Sequence, residues 1–245
     1  RASRQNFKAY LEEQGIGMLP ESEWKEIAPK LMFDSKFINN QKSSSGCTGW
    51  SAAQAFMRLR ALRGMSFQEL SGAFVYAQIN GGRDQGSVIV DALETLETIG
   101  TCLRSQFDLP NIYKNKIPTE AHETAARFKL GHGITLDTWL EACVAVQMGF
   151  IVQFPIQVGR AFEQFDNGIA GFSKGYGNHS VHAFGMKKVN GKWVLIMPNS
   201  WGVAWGPFGN GICYIEERAF GGQGGIDDSY CHKDPIWDPQ DPNLP

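Results

Sequence analysis

The apolar pattern of this chain changes period at Gly149. Ahead of it, apolar side chains recur at helical spacing, the mark of helices that bury one face. From near Cys47 to about Arg63, Trp50, Ala53, Phe56 and Met57 keep that spacing, and Gly64 supplies a C-terminal cap. Ser66 to Glu69 reads as a capping box that opens a short helix. Ser87 to Ile99 reads as a helix closed by Gly100, and Pro118 or Thr119 opens a polar one. TLDTWLEACVAVQM, residues 135–148, is a further helix stopped by Gly149. Beyond that glycine, FIVQFPI, SVHAFGM, KWVLIMP and GICYIEE are short strand-like runs between glycine and polar turns. Helices first and strands second predict an α+β chain with two lobes and a cleft between them. The expected boundaries are a helical lobe at about 40–130, a β-rich lobe at about 131–225 and a C-terminal tail. Ahead of these, residues 1–18 carry Phe7, Tyr10 and Leu11 at helical spacing, followed by the linker glycines Gly15 and Gly17. The stretch MLPESEWKEI reads as extended.

Composition removes several classes of function. The 245 residues carry a formal charge of −2, with no basic excess to hold nucleic acid. No apolar run reaches the roughly 18 residues of a membrane span. The five cysteines are widely spaced, odd in number and free of CxxC pairs, so neither a dense disulfide framework nor a zinc site is expected. Cys102, Cys143, Cys213 and Cys231 are either buried thiols or up to two disulfides. None of the histidines shows HExxH spacing. No metal or organic cofactor is implied.

The chemistry concentrates around NNQKSSSGCTGWSAAQAF, residues 39–56. Cys47 stands where a helix should begin, and free N–H groups at a helix start favour a thiolate. The small residues Ser43, Ser44, Ser45 and Gly46 leave its backbone N–H open to a ligand. That N–H and the Gln41 carboxamide are a candidate pair of donors for a developing oxyanion. The base would come from GNHSVHAFGM, where His179 and His182 fall on opposite faces of a strand, so that only one meets the cleft. Asn199, in MPNSWGVAWG, would accept from that imidazole, with Trp201 covering the bond from water. Taken singly, each residue also has a bland reading: a buried thiol, a strand histidine, a turn asparagine, a loop glutamine.

Together these motifs resemble the papain-like cysteine peptidases, from about Leu19 to Ile215. LPESEW is similar to the start of the family's mature domain, and NSWG to its asparagine motif. The six-residue step from Gln41 to Cys47 matches the family's spacing of oxyanion glutamine to nucleophile. The step from His179 to Gly185 matches that from catalytic histidine to glycine, which selects His179 over His182. The resemblance implies the two-lobed fold with a β-barrel-like second lobe and the active site in the cleft. It implies Cys47 as nucleophile, His179 as base, Asn199 as orienter and Gln41 as oxyanion donor. DQGSVIVDAL resembles the segment that pairs with substrate backbone, making Gly86 and Ser87 substrate-binding candidates, with Trp201 beside the cleft. The implied partner is a polypeptide substrate, and residues 1–18 become a prosegment remnant or a docked arm.

Two departures stand out. Thr48 follows the cysteine where the family has tryptophan, and Ser44 replaces the cysteine of a neighbouring disulfide. These features look more like divergent bacterial or phage members, and the compartment stays open. Two rival readings remain. One is another cysteine acyl-transfer enzyme, such as an amidase, a transglutaminase or a peptidoglycan peptidase. The other is a non-catalytic binding or structural component of an assembly such as a virion, with a protein partner.

Overall fold

The computed structural model describes residues 4–221, 228–232 and 234. Its organising element is α2, Cys47–Leu62, which is buried from Thr48 to Arg60. A helix buried on all sides must be met by packed neighbours all round. The chain supplies them from both halves.

In order, the elements are α1 (Phe7–Glu13), α2, α3 (Gly72–Ile79), α4 (Ile89–Thr98), α5 (Thr119–Ala125), β1 (Ile134–Thr135) and α6 (Trp139–Gln147). There follow β2 (Ile151–Ile156), β3 (His179–Ala183), β4 (Gly185–Val189), β5 (Lys192–Pro198), β6 (Ile212–Ile215) and β7 (Tyr230–His232). The helix expected from the capping box at Ser66 is absent there. Instead Leu70 bridges to Leu103, and Ser71 caps α3 by accepting from the Phe74 N–H. Thr138 caps α6 in the same way, so the predicted 135–148 helix loses its first turn to β1 and the cap. The stretch read as extended near Leu19 holds a single 3-10 turn, Glu21–Glu23.

The strands form two open sheets, ordered β1-β7-β2-β3 and β4-β5-β6, rather than the barrel-like closure the resemblance implied. Their outer edges are met by the N-terminal stretch: Asn6 bridges to Thr135 of β1, and Ile27 to Met186 of β4. Edge backbone groups covered in this way have no need to pair with each other. The two sheets join where β3 passes into β4 through Phe184. Gly185 is required at that join, since a Cβ there would stand 2.2 Å from the Ile27 carbonyl oxygen.

Residues 4–18 dock on this β-rich half. Phe7 is fully buried and meets Phe150 edge-on, and Leu11 is buried beside it. Arg4 pairs with Glu97 of α4 at 2.5 Å, tying the same segment to the helices. Most of the expected C-terminal tail lies outside the described residues. All five cysteines are free thiols, and all but Cys47 are buried. No helix among the described residues is long and apolar enough to cross a membrane.

Alternation along β3 divides the interior. Val181 and Ala183 join Phe154, Val152 and Leu195 in an apolar core on one side. Ser180, His182 and, on β2, Gln153 share the other face, since Gln153 lies directly opposite His182. That second face is the one that meets α2.

Candidate active site

The first residue of α2 is Cys47, preceded by Gly46 at the N-cap. Glycine is needed there for packing: a Cβ on Gly46 would stand 2.4 Å from the Trp50 ring and 2.8 Å from that of Tyr76. The loop before it is held by its own side chains. The Ser44 hydroxyl accepts from the Gly46 N–H, and Asp84 accepts from the Ser45 N–H at 2.8 Å. Cys47 is half-buried at the floor of a cleft of about 530 Å³. Gln41, Gly86, Ser87, His179, Ser180, Trp201 and Asp228 also line that cleft. None of residues 4–18 does.

Burial pushes the Cys47 thiol up from its ordinary value. The N–H groups of Ser180, Thr48 and Cys47 itself oppose that shift without cancelling it. The free protein therefore departs from the stabilised thiolate expected at a helix start, because desolvation outweighs the N–H groups.

The carboxamide of Gln41 is buried and its orientation is fixed. Its Nε2 donates to the Ser44 carbonyl at 2.8 Å, and its Oε1 accepts from the Ser200 hydroxyl at 2.5 Å. The Gln41 N–H also donates to the Ser200 carbonyl, which ties this loop to the Asn199 segment. An amide nitrogen carries two hydrogens. One is used on Ser44, and the other is free to serve the cleft.

His179 begins β3 and is buried, with its Nε2 2.8 Å from Asn199 Oδ1. The same Oδ1 accepts from the Ser200 N–H at 2.8 Å, so this end of Asn199 is the oxygen. An acceptor on Nε2 requires that nitrogen to carry the proton, which leaves Nδ1 unprotonated in the neutral ring. Trp201 covers the pair, its ring 5.0 Å from that of His179, and is itself braced by Phe162 and Trp205. Burial drives His179 down to about 4, against a smaller upward pull from the bond to Asn199. Both shifts point to a neutral thiol and a neutral imidazole lining one cleft at neutral pH.

His182 has a different setting. It is fully buried against α2, 3.2 Å from Arg58 Nη1. Arginine only donates, so His182 Nε2 accepts and its proton sits on Nδ1. His182 is absent from the residues that line the cleft.

Gly86 lies in the cleft with φ +87°, and its N–H donates to the Tyr76 hydroxyl at 3.1 Å. That N–H is committed within the protein, leaving the carbonyl as the group Gly86 can offer a substrate. Ser87 shares a 2.5 Å hydroxyl contact with Thr48, the residue that stands where the resemblance would place tryptophan. Asp228, not among the candidates read from sequence, contributes a carboxylate to the same cleft and accepts from the N–H groups of Ile89 and Val90. Another residue missed by sequence reasoning is Gln153, whose one signal was a polar side chain inside the apolar run FIVQFPI. Among the described residues no cluster of histidine, cysteine or carboxylate groups is arranged to hold a metal ion.

No protein-family model and no curated protein sequence matches the chain. Solved structures do match by fold. Against xylellain, a cysteine protease from Xylella fastidiosa, the TM-score is 0.68 at 16% identity, covering 95% of this chain and 98% of that one. Against the clostridial cysteine protease Cwp84 after propeptide cleavage it is 0.68 at 17% identity, covering 86% of this chain but 57% of that one. Bromelain from Ananas comosus gives 0.61 at 18% identity, covering 82% and 93%. The chain therefore spans just over half the length of the Cwp84 chain and nearly all of xylellain. The fold is papain-like.

Proposed function

We propose that this papain-like fold is a cysteine peptidase acting through a thioacyl-enzyme, with Cys47 as nucleophile, His179 as base and Asn199 as orienter. The observation that carries this reading is the double acceptance at Asn199 Oδ1. Ser200 fixes the oxygen, the oxygen fixes the proton on His179 Nε2, and Nδ1 is left as the basic atom in the cleft that holds Cys47.

With the resting pair neutral, the proton moves as the bond forms. The Cys47 sulfur attacks the scissile carbonyl carbon while its proton passes to His179 Nδ1. The carbonyl oxygen gains negative charge between the Cys47 N–H and the free hydrogen of Gln41 Nε2. His179 then gives its proton to the departing amine nitrogen as the C–N bond breaks, leaving a thioester on Cys47. Water loses a proton to Nδ1, attacks the thioester, and the sulfur leaves with that proton restored. Asn199 holds the ring through both halves, and Trp201 keeps water from the Nε2–Oδ1 bond. The substrate is a polypeptide laid along the cleft past Gly86 and Ser87.

The test is turnover of a mixed peptide library, with mass-spectrometric mapping of an epoxide thiol reagent. Cleavage of peptide bonds together with labelling at Cys47 supports the reading, and both should vanish in Cys47→Ala. Release of ammonia from glutamine or amide substrates without peptide cleavage would replace it with another acyl transfer. Slow labelling without turnover would leave a binding protein on a protease fold.

A further inference from the structure

Two buried polar bridges cross the seam between α2 and the β2–β3 sheet. The inner one joins Arg58 to His182. The outer one is made by Gln153, which is fully buried on β2. Its Nε2 donates to the Ser180 hydroxyl at 3.1 Å and to the Thr48 carbonyl at 3.4 Å. Thr48 is the residue after Cys47, and Ser180 is the residue after His179. We propose that Gln153 is a positioning residue that holds the thiol and the imidazole in register across the two halves of the molecule. This inference rests on the peptidase reading of the same site.

Packing alone does not account for a glutamine at this place. The rest of the β2 strand is apolar, and a buried methionine or leucine would fill similar space without polar atoms. Gln153 Oε1 is buried with no hydrogen-bond partner among the described residues, which burial penalises. What the carboxamide gains is a fork: its two hydrogens reach one acceptor on each reacting segment. The fork acts close to the chemistry. The Ser180 N–H faces the Cys47 sulfur, and Ser180 directly follows the ring held by Asn199. A shift of Ser180 against Thr48 therefore changes the thiol's surroundings and the placement of Nδ1 together. The Arg58–His182 bridge sits deeper along the same face and outside the cleft, so it holds the seam without touching the pair.

The experiment uses the whole chain with Gln153→Met, Ser180→Ala, the double variant and His179→Ala. It measures kcat and KM on a cleaved peptide, and the pH profile of Cys47 alkylation by iodoacetamide, with thermal melting as a control for folding. Misplacement on the ångström scale costs up to about a hundredfold, so Gln153→Met should lower kcat by about ten- to a hundredfold with KM within about twofold. Its alkylation profile should move toward that of His179→Ala. Ser180→Ala should reproduce the loss, and the double variant should be no worse than either single one. If Gln153→Met does not fold, Ser180→Ala alone decides, through kcat and the same profile. Unchanged kcat and an unchanged profile in a folded variant would overturn the proposal, as would losses that multiply in the double variant. If His179→Ala itself leaves Cys47 alkylation unaltered, the peptidase reading fails and this inference with it. If His179→Ala slows alkylation and the Gln153 and Ser180 variants do not, the positioning role alone falls.

Discussion

The two faces of β3 solve different problems with neighbouring residues. On one, Val181 and Ala183 meet Phe154 and Leu195 in an apolar core where nothing needs a specific partner. On the other, Ser180, His182 and Gln153 meet α2 through directional bonds, and several polar atoms there stay unpaired. Apolar contact is non-directional and stabilises any close-packed arrangement. Hydrogen bonds in a buried seam stabilise one register and penalise its neighbours. A site assembled from two segments, the helix start at Cys47 and the strand start at His179, needs the second kind. The first face carries stability alone, and the second adds alignment where its bonds reach the reacting segments, at Gln153 and Ser180.

The sharpest test lies in the two histidines of β3: His179, at the strand's first position, opens on the cleft and not on the apolar core, and His182 is enclosed in the polar seam against Arg58. His179→Ala removes the proposed base and should lower kcat by orders of magnitude while the melting temperature stays near that of the parent. His182→Ala should do the reverse, leaving most of the turnover. If His182→Ala is the catalytically dead variant, the assignment of the base is wrong and so is the comparison built on it.

Next in size is the apolar face itself. Phe154 is fully buried, and Phe→Ala in such a core costs about 3–5 kcal/mol. Urea unfolding of Phe154→Ala should show that loss, with kcat per folded molecule within a small factor of the parent. Leu11→Ala, in the docked arm, should cost about 2–5 kcal/mol with Cys47 labelling unaltered. A large rise in labelling would mean that the arm restrains the site, although none of residues 4–18 lines the cleft.

The polar seam should respond more weakly. In His182→Ala, Arg58 Nη1 keeps its bond to the Phe37 carbonyl and loses the imidazole. Leaving a buried donor short of one acceptor costs about 1–3 kcal/mol. Arg58 is also sandwiched between the rings of Phe37 and Phe184, at 5.3 and 5.2 Å, with no carboxylate paired to it among the described residues. Burial lowers its guanidinium to about 9. A loss well above this range would show that His182, rather than the two rings, is what makes the buried cation tolerable.

The legible part of this molecule was the part written in short spacings. Gln41 and Cys47 lie on one loop and one helix start, and Asn199 lies beside Ser200 and Trp201, so local sequence exposes them as candidates. The structure brings Gln41 and Cys47 into one cleft with His179 and buries Asn199 against the His179 ring, although their catalytic roles rest on the proposal above. What local sequence hid was decided by distant partners. Ser66 carries a good capping signal, yet Leu70 is drawn into a bridge with Leu103 and the helix starts later, at Gly72. One edge of each open sheet is met by a residue far away in sequence, Asn6 at β1 and Ile27 at β4. Gln153 gains its meaning only when β2 and β3 lie across the start of α2.

The smallest effect separates the two faces by proton binding. Burial lowers His179 to about 4 and His182 well below its ordinary value, with Arg58 adding to the shift at His182. His232, on β7, is also driven to about 4 by burial. A histidine whose folded value is depressed contributes stability in full above its unfolded value of about 6.5. As pH falls below that, the unfolded chain takes up the proton first and stability is lost, until the folded protein binds the proton too. Each such group adds a slope of up to about 1.4 kcal/mol per pH unit. Between about pH 6 and 4.5, replacing either His179 or His182 by alanine should flatten the profile by about one such slope. Below about pH 4 the two variants should part. The His179 contribution is then exhausted in the parent, so His179→Ala should track the parent's slope. His182 is fully buried with the Arg58 cation as a second cause holding it down, whereas Asn199 pulls His179 up, so His182→Ala should remain flatter. Carboxylates titrating in the same range are common to all three proteins and cancel in the differences. Profiles that stay superimposable for the two variants below pH 4 would mean that the seam is no more closed to protons than the cleft, and the contrast between the faces would not extend to their electrostatics.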